Sequence, residues 1–189
     1  TYEEVQSARD AGEDPVAPGH LDNLYKAYEC LSAARTARGS LELELPERRI
    51  VLDEDGQVEN IVPVSRFDSH KLIEEFMLLA NRKVAAFIGK QKPKKTFVYR
   101  IHDEPNDEKL TALSKIVTKF GHSLDLRDRK TVTQSLNKLL EDVKGAKEQN
   151  MVDTLAIRTM SKAQYSTENI GHYGLAFDYY SHFTSPIRR

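Results

Sequence analysis

The sequence predicts an α+β fold that is rich in helices and contains a small antiparallel or mixed sheet. Some stretches carry apolar residues at helical spacing, shorter ones alternate apolar and polar residues, and Gly or Pro separates them. The chain has 189 residues, which fits one large domain or part of a larger protein. The chain has 28 Lys and Arg and 29 Asp and Glu, so it has no overall basic charge. Binding to a nucleic acid would therefore require a local basic patch.

The first part of the chain predicts two helices followed by a hairpin. The helices flank a loop that contains Pro15 and Pro18-Gly19, and Gly39 ends the second one. From Ser40 the pattern changes to strict alternation of Leu and Glu, which is typical of a strand. Residues 50–52 and 58–64 then predict the two strands of a hairpin, joined by a turn over 53–56.

The second part predicts one long helix, one short strand and three further helices. Residues 69–88 keep their apolar positions on one stripe without Gly or Pro, so this is the clearest single element. The strand is predicted over 97–101, and the helices over 107–120, 131–143 and 147–162. From Gln164 onward the chain is predicted to be extended and rich in aromatic residues.

Cysteine content and hydropathy exclude several classes of protein. Cys30 is the only cysteine, so the chain forms no internal disulfide, and we expect a reducing compartment, the cytoplasm. No apolar run approaches the length of a membrane span, so we expect no membrane partner. His172 and His182 have no third ligand nearby in the sequence, which argues against a zinc site.

The last six residues, Thr184-Ser185-Pro186-Ile187-Arg188-Arg189, have the pattern of a helix start. Ser suits the N-cap and Pro suits the first helical position. Two arginines in a first helical turn oppose the helix dipole, unless an anion such as phosphate binds both the free backbone N–H groups and the guanidinium groups. The alternative is that both arginines form ion pairs with nearby carboxylates. A helix cannot end at its first turn, so we expect the chain to be part of a longer enzyme.

Residues 171–189, GHYGLAFDYYSHFTSPIRR, resemble the signature of the RNB-type exoribonucleases, the family of ribonuclease R and ribonuclease II. Two further segments resemble that family in order and spacing, HKLIEEFMLLAN at 70–81 and YRIHDEP at 99–105. The opening residues 1–4 resemble the family segment just downstream of its metal site. The likeness is greatest to the ribonuclease R branch. It implies that 1–189 is the C-terminal part of an RNB catalytic domain, truncated at both ends.

The resemblance implies an enzyme that degrades single-stranded RNA processively from the 3′ end and releases nucleoside 5′-monophosphates. It also implies magnesium, held by an aspartate cluster upstream of the position of Tyr2, and a monomeric parent protein. This chain lacks the closely spaced aspartates, and Asp53-Glu54-Asp55-Gly56 reads better as a solvated turn. We therefore expect no metal ligand within these residues.

The resemblance assigns residue roles by position. Arg188 matches a family arginine that contacts phosphate near the cleavage point, and Arg189 beside it is expected to bind RNA. Tyr2 matches a tyrosine that packs against RNA near its 3′ end. Glu75 matches a glutamate whose carboxylate can accept hydrogen bonds from ribose hydroxyls, although helical spacing alone does not decide whether Glu74 or Glu75 faces inward.

The sequence allows two interpretations for each of three further features. Asn81 could be structural or could line the RNA path. The window between Glu75 and Asp103 holds seven basic residues and no acidic one, so it is either a wall that follows phosphates or a solvated helix end and loop. The aromatic run favours a core over base-stacking platforms. It comprises Tyr173, Phe177, Tyr179, Tyr180 and Phe183.

Two other functions remain open from the sequence. One is a nonhydrolytic RNA-binding or assembly module that keeps the same fold without a metal site. The other is an α+β interaction domain whose lysine-rich patch binds an acidic protein. An aspartate cluster upstream of Tyr2 would favour the nuclease, and a salt-sensitive RNA gel shift would disfavour the protein-interaction domain.

Overall fold

The structure, a computed structural model, describes residues 1–42, 48–64 and 66–184 and confirms the helix-rich α+β class. Within these ranges the helices and strands follow the predicted order, except that residues 40–42 form no strand, and the remainder of the alternating Leu and Glu segment, 43–45, lies outside the described residues. The helices are α1 (Tyr2–Asp10), α2 (His20–Arg38), α3 (Asp68–Gly89), α4 (Asp107–Thr118), α5 (Arg129–Asp142) and α6 (Gln149–Thr159). The strands are β1 (Arg48–Leu52), β2 (Val58–Pro63), β3 (Tyr99–Ile101) and β4 (Gln164–Ser166), followed by a 3₁₀ turn at Tyr173–Leu175.

The chain divides into two compact units, of which the first contains Thr1–Glu29 and Glu44–Glu75. Its sheet is the predicted hairpin, in which β1 pairs antiparallel with β2. Asp53 closes the turn, because its Oδ1 accepts hydrogen bonds from the backbone N–H groups of Asp55 and Gln57. The apolar side chains of the hairpin are more than half exposed at Ile50, Leu52, Val58 and Ile61. The reading of residues 53–56 as a turn is therefore confirmed.

The second unit, Cys30–Leu43 with Phe76–Arg189, has its core among α4, α5 and α6. Asn106 caps α4 by accepting from the backbone of Lys109. The helix predicted from residue 131 begins two residues earlier, because Asp128 is its N-cap and accepts from the N–H groups of Lys130 and Thr131. The core residues are Leu41, Leu110, Leu113, Val117, Val132, Leu136, Leu139, Val143, Val152 and Ala156.

The second sheet is smaller than the sequence predicts. β3 covers 99–101 rather than 97–101 and pairs antiparallel with β4. Most of the aromatic-rich stretch after β4 lacks regular structure, and it contributes Tyr173, Phe177 and Tyr180 as buried side chains. The core reading of the aromatic run is confirmed for these three residues. Tyr179 is half-buried and Phe183 is exposed.

His102 and His172 hold the beginning of this aromatic-rich stretch. The His102 Nδ1 accepts from the backbone N–H of Gly174 at 3.0 Å, and its Nε2 lies 2.9 Å from the carbonyl of Ser161. The His172 Nδ1 accepts from the N–H of Leu175 at 3.3 Å, and the two imidazole centroids are 4.9 Å apart. Both rings accept through Nδ1, so the structure uses neutral imidazoles with the proton on Nε2.

Burial and the neighbouring His102 lower the pKa of His172 from 6.5 to about 3, and burial also lowers the pKa of His102. In the unfolded chain a histidine keeps a pKa near 6.5. Below that pH the unfolded state binds a proton at His172 that the folded state does not. Stability is therefore lost as the pH falls from about 6.5 towards 3.

We predict that the replacement His172→Asn makes the fold less sensitive to acid. Between about pH 6 and pH 4 the wild-type free energy of unfolding should fall by up to about 1.4 kcal/mol per pH unit more than that of the variant, since one proton is bound differently. Urea denaturation at a series of pH values measures both slopes, and titrations common to the two proteins cancel in the difference. Parallel pH profiles would contradict a buried neutral His172.

Candidate functional site

Tyr2 lies at the end of a short stack of aromatic rings in the first unit. Its ring centroid is 4.1 Å from that of His70, with an angle of 21° between the planes. His70 in turn stacks on Phe67 at 5.6 Å and 26°. Tyr2 remains 43% exposed, so its ring is held against His70 and is also accessible to solvent. A flat, accessible ring is suited to stacking on a nucleobase.

Hydrogen bonds join α1 to the start of α3 beside this stack. The Ser69 hydroxyl donates to the backbone carbonyl of Tyr2 at 2.9 Å, and the Ser69 N–H donates to the Gln6 side chain at 3.3 Å. Arg9 donates to Asp68 at 2.7 Å, and this guanidinium lowers the pKa of the Asp68 carboxyl. The position of Tyr2 is therefore fixed by polar contacts as well as by stacking.

The structure distinguishes the two adjacent glutamates of α3. Glu75 is buried, with 6% of its surface exposed, and it lies one turn after the buried Leu72 on the same face of the helix. Glu74 is only partly buried and accepts a hydrogen bond from the guanidinium of Arg66. Glu75 is thus the more buried carboxylate of the pair, and a contact of either glutamate with RNA stays a prediction.

Asn81 is a buried anchor for the chain just before the final residues. Its Oδ1 accepts from the backbone N–H groups of Phe183 and Thr184, both at 2.8 Å, and from the Thr184 hydroxyl at 3.1 Å. Only 3% of the Asn81 surface is exposed. Of the two readings that the sequence allows for Asn81, the structural one accounts for these contacts.

Four of the seven basic residues between Glu75 and Asp103 are exposed side chains without a ring contact described for them: Lys83, Lys92, Lys94 and Lys95. Three other cations lie over aromatic rings of the second unit: Arg82 over Phe177 at 5.3 Å, Lys90 over Tyr179 at 5.9 Å and Arg100 over Tyr165 at 4.7 Å. A cation on a ring is held in place yet keeps N–H donors for a phosphate.

Arg188 and Arg189 lie outside the described residues, as does the helix start predicted at Ser185 and Pro186. Across 1–42, 48–64 and 66–184, no group of three or more His, Cys, Asp or Glu side chains is placed to hold a metal ion. The described residues therefore supply no cluster of three or more such ligands for a magnesium ion. No helix in these ranges is long and apolar enough to cross a membrane.

Sequence reasoning missed one side chain of the first unit and two of the second. His70 is separated from Tyr2 by many residues, and its only local signal is its place in the first turn of a predicted helix. Arg38 lies over the Phe177 ring at 4.8 Å, although α2 offers no local pattern that selects it. Asn137 of α5 donates to the carbonyl of Ser40 at 2.8 Å and thereby holds the chain after α2.

The comparisons with known proteins agree with the signature. A family model for the RNB domain matches residues 1–189. The chain belongs to the RNB domain family. A ribonuclease R from Vibrio cholerae is 38% identical over 170 residues, which cover 90% of this chain and 20% of that protein. A ribonuclease R from Thermotoga maritima is 42% identical over 174 residues, covering 88% of this chain and 23% of that one.

A solved RNB-family structure has the same fold. Ribonuclease R of Mycoplasma genitalium, in complex with ribose-methylated single-stranded RNA, matches with a TM-score of 0.86 at 26% identity. The match covers 98% of this chain and 29% of the Mycoplasma chain. The chain thus spans only about a fifth of the length of the curated relatives it matches. The predicted family and its ribonuclease R branch are confirmed.

We predict that Asn81→Ala destabilises the second unit by about 2–3 kcal/mol. The change removes the acceptor of three hydrogen bonds and leaves two backbone N–H groups without their observed partner. Urea denaturation followed by circular dichroism measures the loss. Lys83→Ala, at an exposed position on the same helix, is the control and should change stability by less than about 0.5 kcal/mol. An equal effect of the two substitutions would contradict the anchoring role.

Proposed function

We propose that residues 1–189 are the C-terminal part of the catalytic domain of an exoribonuclease that degrades single-stranded RNA processively from its 3′ end. The observation that carries this proposal is the RNB-domain match over 1–189. The ribonuclease R relatives support it, as does the similar Mycoplasma structure, which is a complex with ribose-methylated single-stranded RNA. We extend the proposal to the complete polypeptide, taken as a monomeric cytoplasmic enzyme.

Binding to RNA is assigned to groups that do not read sequence. The accessible ring of Tyr2 stacks on a base near the 3′ end, which is tolerant of base identity because every base has a π face. The carboxylate of Glu75 accepts hydrogen bonds from ribose hydroxyls, which DNA lacks at the 2′ position. Arg189 binds phosphate through its guanidinium group. Together these contacts favour RNA over DNA without a preferred sequence.

The reaction is hydrolysis of the terminal phosphodiester. A water oxygen bonds to phosphorus, and the bond from phosphorus to the 3′ oxygen of the preceding nucleotide breaks. One proton of the water ends on that 3′ oxygen, so the shortened RNA has a new 3′-hydroxyl and the released nucleotide keeps its 5′-phosphate. We assign to Arg188 the stabilisation of the negative charge that develops on the phosphate oxygens.

A divalent metal is expected from the family resemblance, with magnesium the ion we propose. It would polarise the scissile phosphate and activate the attacking water. Following the resemblance, we propose ligands upstream of Tyr2, and we assign no step to a metal held by this chain, whose described residues form no cluster of three or more such ligands. The residues proposed here bind and orient RNA and stabilise charge.

We predict that Arg188→Ala in the complete polypeptide lowers turnover on single-stranded RNA by about a hundredfold or more, because one donor to the developing charge is lost. RNA affinity should change much less. Arg189→Ala is the matched variant, and it should weaken binding more than it lowers turnover. Single-turnover decay of 5′-labelled RNA measures the rate, and fluorescence anisotropy measures affinity. An unchanged rate for Arg188→Ala would refute its role, and a complete polypeptide that binds RNA without shortening it would refute the nuclease.

We also predict that Glu75→Gln weakens binding to RNA more than binding to DNA of the same sequence. The loss on RNA should be about threefold to tenfold, since hydrogen bonds from ribose to a charged acceptor become bonds to a neutral one. Glu74→Gln, one residue away and paired with Arg66, is the control and should leave the RNA-to-DNA ratio unchanged. Equal losses on RNA and DNA would argue against a ribose contact at Glu75.

A further inference from the structure

The imidazole of His70 stacks on the ring of Tyr2 and is held in place by a hydrogen bond. His70 is the third residue of α3, and its Nδ1 accepts from the backbone N–H of Phe67, just before the helix, at 3.2 Å. A third-position side chain that accepts from the N–H at the helix start is one half of a capping box. The bond uses Nδ1 as its acceptor, while the face of the ring stacks on Tyr2. His70 thus caps the start of the helix through its Nδ1 atom and stacks on Tyr2 through the face of its ring.

The stack has a defined order from the protein outward. Phe67 is half-buried, His70 stacks on both other rings, and Tyr2 is 43% exposed. A lone exposed tyrosine samples several side-chain rotamers, and fixing them on binding has an entropic cost. With 21° between its plane and that of His70, Tyr2 is already oriented before a ligand arrives.

We propose that His70 is a positioning residue for RNA binding, which orients the Tyr2 ring so that its accessible side receives a nucleobase near the 3′ end. The inference rests on the proposed function, in which Tyr2 stacks on a base. It adds that the affinity supplied by Tyr2 depends on a second ring behind it. His70 does not touch RNA and acts through Tyr2.

Two substitutions distinguish the stacking role of the His70 ring from its role as a hydrogen-bond acceptor at the helix start. His70→Gln keeps a side-chain acceptor for the Phe67 N–H and removes the ring, while His70→Phe keeps a ring and removes the acceptor. We expect His70→Gln to weaken single-stranded RNA binding by about twofold to tenfold with little change in melting temperature. We expect His70→Phe to keep the affinity while lowering the melting temperature. A merely structural role for His70 would produce the opposite order.

The experiment measures binding of 5′-labelled single-stranded RNA to the complete polypeptide by fluorescence anisotropy, with divalent metal removed by EDTA. Tyr2→Ala should weaken binding by about fivefold or more. Adding His70→Gln to Tyr2→Ala should then cause no further loss. RNA made abasic at the stacked nucleotide near its 3′ end should likewise bind wild type and His70→Gln equally.

The outcomes distinguish the two proposals. If Tyr2→Ala leaves affinity unchanged, base stacking at Tyr2 is wrong and the role of His70 fails with it. If Tyr2→Ala weakens binding but His70→Gln does not, Tyr2 stacks without support and only the inference about His70 is overturned. Additive losses in the double variant would also overturn it, because His70 would then act independently of Tyr2.

Discussion

The conformation of the aromatic-rich segment before the final residues depends on hydrogen bonds from distant side chains. Most of this segment lacks regular secondary structure, so its backbone donors and acceptors must be satisfied elsewhere. His102 accepts a hydrogen bond from the N–H of Gly174, and the hydroxyl of Ser40 donates to the carbonyl of the same residue. Asn81 accepts from the N–H groups of Phe183 and Thr184. Three separate parts of the second unit therefore set the path of one irregular stretch.

Elements with a local cause were predicted well from the sequence. The long α3 helix follows from its apolar stripe and its freedom from Gly and Pro before residue 89, and the β1–β2 hairpin follows from alternation and a Gly-closed turn. Errors occur at the ends of helices, where more than one nearby side chain can act as the cap. The α5 helix begins at Arg129 because Asp128 offers a carboxylate to two N–H groups. Periodicity cannot detect that competition.

The candidate site was harder to predict because its contacts join residues far apart in the chain. The family signature selected Tyr2 and Glu75, yet nothing local indicates that His70 lies behind Tyr2 or that Asn81 holds Thr184. The different surroundings of Glu74 and Glu75 likewise depend on a tertiary contact, because Arg66 pairs with Glu74. Tertiary contacts of this kind determine what each residue of a recognised motif does.

The β1–β2 hairpin has a consequence for handling the isolated polypeptide. Ile50, Leu52, Val58 and Ile61 present branched apolar side chains to water on a two-stranded sheet, and β-rich apolar surfaces of this kind favour edge-to-edge association. The chain offers only limited electrostatic protection against such association, since its formal net charge is -1. A preparation of residues 1–189 alone is therefore expected to aggregate through this hairpin, to which no RNA contact is assigned.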